Sequence, residues 1–445
     1  MATQIIDSIF FKDLYGTDEM RAIFEDKALL QKWLDAEVAL ARAEAELGLI
    51  PADAAEEIAR AARAEQLDTA KLKQLIDDTV HPIVPLIRVL KDACRGSAGE
   101  FIHWGATTQD IMDTASVLQL RDAWPILEKR LTGFATALRE LAVKHRDTPM
   151  AGRTHGQQAL PVTFGFKCAV WLAEVQRHQR RLQECRARVL VGQFSGAAGT
   201  LASLPEHGLA VQKRVMELLG IGVPPISWHS SRDGFAEFAS VLGMIAATAG
   251  KVAHEIISLQ RTELWEVEEP FKQGKVGSST MPHKRNPMIC EAAMGVAKLV
   301  MHRVPMALEA MITEHERDWA CEQMEWAFLP EITIMTDGLL HMMGGVMRGL
   351  HVHPERMLKN LDQLGGLMQS EAVMLELGRK VGRQTAHDIV YECAMKSVEE
   401  QRPFRDLLNA DATVRKHFSE ADIQRLLDPL RYTGLAGQFV DRVTR

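Results

Sequence analysis

The sequence predicts an all-α fold organised around a bundle of long helices. Three segments carry apolar residues at alternating steps of three and four, which is the spacing of a helical bundle. They span residues 119–141, 164–189 and 233–268. At 1.5 Å per residue the third would be roughly 50 Å long, so we expect partners to bury its outer face. A long dimeric coiled coil is the alternative, but three such segments in one chain favour an intramolecular bundle.

Shorter helices flank the bundle and predict a division into three helical domains. Residues 25–47 have the periodicity of an amphipathic helix, and Gly48 and Pro51 follow as stop signals. The predicted domains are an N-terminal helical domain at 1–111, a central bundle at 112–351 and a C-terminal helical domain at 352–445.

Composition narrows the classes of function. The 445 residues carry a net charge of -7, which argues against nucleic acid as the main partner. The six cysteines form no CxxC pair, so neither a zinc cluster nor a disulfide framework is indicated. His351 and His353 lie two residues apart, not one helical turn, which argues against a metal site. Without a basic leader or an apolar run of about eighteen residues, we expect a cytoplasmic protein with no membrane partner.

One proline-broken stretch, residues 269–287, separates two strongly helical segments. It contains GKVGSSTMPHKRNP, in which the hydroxyls of Ser278 and Ser279, the cation of Lys284 and the amide of Asn286 can all hold an anion. Such a loop could close over a carboxylate, because long loops in compact helical proteins are often functional. The alternative is a basic surface loop.

The sequence GSSTMPHKRNP resembles the signature loop of the fumarase/aspartase superfamily. Its MPHKRNP form is closest to the branch of adenylosuccinate lyase and 3-carboxy-cis,cis-muconate lactonizing enzyme. The resemblance implies a homotetramer with a core of about 20 helices, in which three subunits share each active site. It also implies a lyase that releases fumarate from a small dicarboxylate or tricarboxylate substrate and needs no metal or organic cofactor.

A second stretch, GEFIHWGATTQDIMDT, resembles the first signature of the superfamily. The resemblance implies that His103, Thr107, Thr108 and Gln109 contact the substrate, with the threonines binding a carboxylate. The physical chemistry agrees, because a helix N-terminus presents unpaired N–H groups and a partial positive charge to an anion. The alternative is an ordinary helix N-cap.

A third stretch, MAGRTHGQQALPVTFG, resembles the adenylosuccinate lyase motif that carries the general acid. His155 would then protonate the leaving nitrogen or oxygen, a task that suits an imidazole pKa of about 6.5. In that family a glutamate at the position of Glu291 holds this histidine through a charge-assisted hydrogen bond. The alternative for Glu291 is a charge that only stabilises a helix N-terminus.

The resemblance implies two further substrate contacts. His81, in DDTVHPIVPLIR, stands where adenylosuccinate lyases place a histidine at the substrate, and Arg232 could hold a carboxylate. Read singly, each is more often a packing or surface residue. Where that enzyme would carry an Arg-Tyr pair and a further basic residue, this chain has Leu14, Tyr15 and Gly234. Because guanidinium groups are the donors best suited to phosphate, adenylosuccinate itself is a poor candidate.

Together these residues predict an anti β-elimination. Ser278, as its alkoxide, would remove the proton next to a carboxylate, which requires loop N–H groups and Lys284 to lower its pKa. Lys284, Asn286 and the threonine pair would stabilise the enediolate that forms. Collapse of the enediolate would expel the neighbouring group as His155 protonates it.

We therefore expect a lyase that cleaves a C–N or C–O bond in a substituted succinate, similar to adenylosuccinate lyase. The alternative is a 3-carboxy-cis,cis-muconate cycloisomerase, since WHSSRDGFAEFASVLG and EHERDWACEQMEWAFLPEI are more similar to that enzyme. Bacterial lactonizing enzymes of this type have tryptophan where His155 stands and lack the glutamate, so the presence of both residues favours an intermolecular elimination. A catalytically silent structural relative is the third hypothesis, which the intact motifs disfavour.

Overall fold

The computed structural model of the protein describes residues 4–271, 280–281 and 283–445. Its α-helices, α1 to α20 in chain order, are Lys12–Tyr15, Asp18–Phe24, Asp26–Glu46, Ala52–Ala61, Thr69–Thr79, Ile83–Ala93, Thr108–Lys144, Phe164–Val189, Gly208–Leu219, Asp233–Leu259, Met288–Met301, Val304–Glu309, Trp319–Gly349, Pro354–Leu361, Ser370–Val381, Arg383–Glu399, Phe404–Ala410, Ala412–His417, Glu420–Leu426 and Ala436–Thr444. Short strands β1 to β4 are Pro149–Thr154, Gln157–Thr163, Val267–Glu268 and His351–Val352. The prediction of an all-α fold is confirmed, with two small antiparallel sheets added.

The long helices largely follow the predicted segments. The predicted segment 119–141 lies inside α7, and 164–189 coincides with α8. The third prediction is wrong beyond the end of α10, because the helix predicted to reach residue 268 stops at Leu259. Trp265 has a left-handed φ of 48°, and the Glu266 carbonyl accepts the N–H of His353 at 3.0 Å, which aligns β3 with β4. Sheet pairing therefore overrides the helical periodicity here.

One compact unit contains Met1–Thr132, Arg177–Gly250 and Ala293–His341. Its apolar core lies between α3, α4, α5, α6 and the start of α7. A second apolar cluster forms where α3 packs against α9. The predicted helix at 25–47 is α3, so the N-terminal periodicity is confirmed.

Two glycines allow close helix packing in this unit. A Cβ added to Gly243 on α10 would lie 2.5 Å from a side-chain atom of Val304, at the start of α12. A Cβ on Gly250, two turns further along, would lie 2.8 Å from the Cβ of Ala297 on α11. Larger residues at either position would force these helices apart.

The other compact unit contains Gly133–Gln176, Lys251–Ala292 and Met342–Arg445. In it β1 and β2 form an antiparallel hairpin, and α14 packs against β1. Helices α15 to α19 bury an apolar cluster of their own. The three-domain division predicted from the sequence stays a prediction.

Among the described residues, α10 is long and apolar enough to cross a membrane by length and composition alone. However, 67% of its apolar window is buried inside the protein. Such burial is typical of a core helix that is apolar on all sides. The predicted absence of a membrane partner stays a prediction.

Candidate active site

The start of α7 carries the threonine pair predicted to bind a carboxylate. Thr107 and Thr108 are half-buried at this helix N-terminus. Asp110 occupies part of the helix end, because its Oδ2 accepts the N–H of Thr107 at 3.0 Å. The same carboxylate accepts the N–H groups of Ser195 and Gly196, each at 2.9 Å. Asp110 therefore ties the chain after α8 to the helix end, and the contact of the threonines with substrate stays a prediction.

His81 lies directly beside Thr108. Its Nδ1 accepts the N–H of Val84 at 3.3 Å, so the neutral ring carries its proton on Nε2 and donates to the Thr108 hydroxyl at 3.0 Å. The ring stacks on Trp319, with 6.0 Å between the ring centroids. Burial, followed by the charge on His103, lowers the pKa of His81. A neutral His81 therefore orients the Thr108 hydroxyl.

His103 is paired with a buried carboxylate. Its backbone is left-handed, with a φ of 65°, and its Nδ1 hydrogen-bonds to Oε1 of Glu37 at 2.7 Å. Burial opposes a charge on this ring, but the Glu37 carboxylate outweighs that effect and raises the pKa of His103. Because the side chain of Glu37 is fully buried, a protonated His103 compensates its charge. A direct contact of His103 with substrate stays a prediction.

Glu44, two turns after Glu37 on α3, is expected to make stability fall as pH rises. Both of its carboxylate oxygens are buried and lack hydrogen-bond partners in the described chain. Burial, and then the charge on Glu37, raises the pKa of Glu44 to about 9, from an ordinary value of 4.5. Between these values the unfolded chain loses this proton and the folded chain keeps it, so unfolding is favoured by at most about 1.4 kcal/mol per pH unit.

The substitution Glu44→Gln should remove this part of the pH dependence. The measurement is urea unfolding at about pH 6 and about pH 8, where the wild type should lose more stability than the variant. Glu46→Gln is the matched control, because Glu46 lies on the same helix in a surface ion pair with Arg214. Parallel pH profiles of wild type and Glu44→Gln would contradict a buried, protonated carboxyl.

Gln109 is 1% exposed and its side chain is engaged at both ends. Nε2 donates to the His229 carbonyl at 2.9 Å, and Oε1 accepts from Nε of Arg317 at 3.0 Å. Arg317 also donates to the Ala197 carbonyl at 2.8 Å. These contacts give Gln109 a positioning role, in which it holds a half-buried cation next to the start of α7. Direct binding of substrate by Gln109 stays a prediction.

Arg232 is held in buried ion pairs, and its predicted contact with a substrate carboxylate stays a prediction. Its side chain is 1% exposed and donates to both oxygens of Asp113 at 2.8 Å. It also donates to Glu325 through Nε at 2.8 Å and through Nη2, and its guanidinium lies 4.9 Å from the ring centroid of Trp228. Since two carboxylates and an aromatic ring already surround it, we assign Arg232 the role of joining α7 to α13.

His155 lies at the tip of the β1–β2 hairpin. Thr154 pairs with Gln157, so His155 and Gly156 form a two-residue turn with φ values of 53° and 77°. Positive φ at both central residues is the type I′ geometry, whose twist matches that of a hairpin. The sequence analysis did not predict this hairpin, although a two-residue turn that ends in glycine, as His155-Gly156 does, is one of the signals of a hairpin. The turn holds an exposed imidazole on a short loop, which suits a proton donor.

Arg153, two residues before His155, is expected to anchor this hairpin. Its guanidinium donates to both oxygens of the buried Glu266, at 2.9 and 2.7 Å, and Asn360 donates to the same carboxylate at 2.9 Å. Arg153→Ala would leave the Glu266 charge buried without its cation, so unfolding free energy should fall by about 3 kcal/mol. Urea unfolding measures this change. Arg188→Ala is the control, because it breaks a bidentate pair with Glu237 that is largely exposed; an equal loss there would contradict the anchoring role.

A cleft of about 920 Å³ in the same unit brings together three predicted residues. Lys284, Asn286 and Glu291 all line it. Next to them Arg285 donates to Oε1 of Glu268 at 2.8 Å, which ties this stretch to β3. The structure therefore places Lys284 and Asn286 on the lining of one cleft. Their roles toward substrate stay predictions.

Glu269, not Glu291, caps the N-terminus of α11. Its carboxylate accepts the N–H groups of Ile289 and Cys290, each at 3.0 Å. Glu291 is exposed in the first turn, and no hydrogen bond joins it to His155 in the part of the chain that is described. The predicted pairing of Glu291 with His155 stays a prediction.

Two predicted residues, Ser278 and Ser279, lie outside the described residues. Within the described ranges, no group of three or more His, Cys, Asp or Glu side chains is arranged to hold a metal ion. None of the six cysteines, all of which the structure describes, forms a disulfide bond. The expected absence of a metal or cofactor stays a prediction.

Comparison with protein families matches residues 15–302 to a family described as lyase. Residues 366–443 match a second family, described as the C-terminus of adenylosuccinate lyase. The first match alone covers more than half of the chain.

Individual relatives match over nearly their full length. The chain is 45% identical to an N-acetyl-S-(2-succino)cysteine lyase of Enterococcus italicus, covering 100% of this chain and 97% of that protein. A crystal structure of fumarate lyase from Mesorhizobium sp. BNC1 has a TM-score of 0.91 at 43% identity, over 97% of this chain and 98% of that one. The 3-carboxy-cis,cis-muconate lactonizing enzyme of Pseudomonas putida has a TM-score of 0.92 at 40% identity, over 98% of each chain. The chain therefore belongs to the fumarase/aspartase superfamily of lyases, in the branch of adenylosuccinate lyase and 3-carboxy-cis,cis-muconate lactonizing enzyme.

Proposed function

We propose that the protein catalyses an anti β-elimination that releases fumarate from a succinate substituted at carbon 2. A C–H bond at carbon 3 and the C–X bond at carbon 2 break, and the products are fumarate and the protonated leaving group, H–X–R. The observation that carries this proposal is the hairpin tip, where an exposed imidazole is fixed in a two-residue turn by Arg153 and Glu266. An intermolecular elimination needs such a proton donor.

In the proposed reaction Ser278 takes the proton from carbon 3. Charge then builds up on the adjacent carboxylate as an enediolate. Lys284 and Asn286, which line one cleft, stabilise this charge. Thr108, oriented by the neutral His81, contributes a hydroxyl donor to a substrate carboxylate. The free energy needed to reorient these hydroxyl and amide donors during the reaction is small, because they are positioned before the substrate binds.

His155 then protonates the departing atom X as the C–X bond breaks, and the electron pair of the former C–H bond forms the double bond of fumarate. Glu291, which lines the same cleft as Lys284, is proposed to support the imidazolium through a charge-assisted hydrogen bond. One proton passes from substrate to Ser278 and another from His155 to the product. Solvent resets both groups before the next turnover.

Sulfur is a candidate for the departing atom, in addition to nitrogen and oxygen. The relative named N-acetyl-S-(2-succino)cysteine lyase, at 45% identity, supports a thioether substrate. A thiol of pKa about 8.5 also leaves with less help from an acid than an amine does. We therefore propose 2-(alkylthio)succinates as the first substrates to test.

We further propose a cytoplasmic homotetramer with shared active sites. Several large apolar side chains are more than three-quarters exposed in the single chain, including Ile9, Phe10 and Ile312 at 79%, 82% and 80%. Apolar surface of this kind is usually covered by a partner. Light scattering of the purified protein tests the assembly, and a monomer that turns over substrate would contradict it.

The proposed function is tested by incubating the protein with 2-(methylthio)succinate, an alkylthio substrate with an uncharged leaving group, and following both products. Fumarate, detected by absorbance, and free thiol, detected with a thiol reagent, should appear in equal amounts. In the reverse direction, fumarate and thiol should combine. Formation of thiol without fumarate would contradict an elimination.

The cycloisomerase is the second candidate, because the lactonizing enzyme of Pseudomonas putida shares 40% identity and a TM-score of 0.92. It is tested in parallel with 3-carboxy-cis,cis-muconate. Lactone formation without fumarate release from any substituted succinate would favour this second candidate over the first.

A further inference from the structure

A partly enclosed apolar cavity of about 280 Å³ lies in the first unit. Helix α7 contributes Met112 and Ser116 to its wall, and helix α13 contributes Trp326 and Leu329. Pro82 also lines it. Pockets for small molecules usually have roughly 300–1,000 Å³, so this cavity fits a small group or one part of a larger ligand.

The lining of the cavity begins one helical turn along α7 from the proposed carboxylate site, at Met112. Thr108, Met112 and Ser116 are spaced by four residues, so they lie on one face of α7 at steps of one helical turn. A second connection runs through aromatic rings. His81 donates to Thr108 and stacks on Trp319, whose ring meets that of Trp326 edge-on at a centroid distance of 5.1 Å. A ligand held at Thr108 therefore has the cavity wall beside it.

The charge around the cavity excludes anions. No lysine or arginine is among the described residues that line the cavity. Glu325, which carries a carboxylate, does line it. Glu322 lies between Trp319 and Trp326 on the same face of α13, and both of its oxygens are buried without a partner in the described chain. Burial, and then the charge on Asp113, raises the pKa of Glu322 to about 8. A phosphate or sulfonate would meet apolar surface and the Glu325 carboxylate here, with no lysine or arginine on the described lining to bind it.

We infer that this cavity receives an uncharged, apolar part of the leaving group, and that Trp326 is the residue that selects for it. The inference rests on the proposed elimination and adds the chemical class of the departing group. Trp326 lines the cavity and is 42% exposed in the single chain, so its ring is accessible to a ligand there. The hydroxyl of Ser116 offers one hydrogen bond at the cavity wall.

Three thioether substrates test the inference with one type of bond. They are 2-(methylthio)succinate, 2-(benzylthio)succinate and 2-(2-sulfonatoethylthio)succinate, whose leaving groups are small, apolar and anionic. For the wild type, kcat/KM should favour the benzyl compound over the sulfonate by about 100-fold. In Trp326→Arg this ratio should fall by about tenfold or more, while kcat/KM for the methyl compound changes by less than about threefold.

Two other variants separate selection from folding. Ser116→Leu should fill part of the cavity and reduce kcat/KM for the benzyl compound by about tenfold, again sparing the methyl compound. Tyr391→Ala removes an exposed ring from α16, far along the chain from the cavity, and should leave all three values unchanged.

The outcomes distinguish the two levels of the proposal. If the wild type releases fumarate from the methyl compound but Trp326→Arg and Ser116→Leu leave the benzyl-to-sulfonate ratio unchanged, the cavity assignment is wrong and the elimination stands. If the wild type prefers the sulfonate, the cavity assignment is wrong as well. If the wild type releases fumarate from none of the three, the thioether elimination fails and the inference fails with it.

Discussion

Replacing His155 by asparagine is expected to lower kcat by about 10²- to 10⁴-fold for a substrate with an alkylthio leaving group, because the general acid is lost. Asparagine is the sharpest replacement, since Asn-Gly is a preferred pair in the type I′ turn that His155 and Gly156 form. The hairpin should therefore keep its shape. A stopped assay of fumarate formation measures the effect.

The loss should depend on the leaving group. A nitrothiophenol departs as a stable anion and needs little protonation, so its succinyl thioether should lose much less rate in His155→Asn than an alkylthio substrate does. His387→Asn is the matched control, because His387 is an exposed histidine on α16. An equal loss for both leaving groups would show that His155 acts on binding or structure and not as the acid.

Replacing Ser278 by alanine is expected to lower kcat by at least about 10³-fold, because the hydroxyl proposed to take the proton from carbon 3 is lost. The matched control is Ser279→Ala, which removes the neighbouring hydroxyl and should reduce activity far less. Fumarate formation is again the measurement. A Ser278→Ala enzyme with wild-type turnover would refute the assignment of the base.

Isotope exchange separates the two roles. In deuterated water, His155→Asn should still exchange the proton at carbon 3 of unreacted substrate, whereas Ser278→Ala should not. If active sites are shared between subunits, mixing the two inactive variants should also restore part of the activity, because some sites in the mixed tetramers receive both intact residues. Exchange in Ser278→Ala would point to a different base.

The sequence identified the motifs, but it did not reveal the structural role of each residue in the fold. Gln109 and Arg232 stand in or near the motifs, and both look suited to an anion as isolated side chains. In the structure Gln109 spans from the His229 carbonyl to Arg317, and Arg232 lies between Asp113 and Glu325. Those partners lie about 90 to 210 residues away in the chain, and no local pattern encodes them.

The hairpin shows a second limit of the sequence. The apolar periodicity gave the limits of α8 correctly, because one face of that helix is buried along its length. The same reasoning extended α10 beyond Leu259, where β3 pairs with β4. It also missed β1 and β2, whose pattern is short and includes Pro161. Strand pairing depends on distant partners, so periodicity alone does not reveal it.

The sequence by itself determined that the chain is helical and that it belongs to a lyase superfamily, and it predicted that a histidine and a hydroxyl-rich loop carry the chemistry. These properties are written in local periodicity and in contiguous motifs. Only the tertiary structure decided which charged side chains are available to a ligand and which are already neutralised by a partner. It also decided which side chains form the cavity near Thr108. Burial and contacts between distant parts of the chain determine both properties, because a charge that is removed from water must be compensated by a partner that the fold brings close to it.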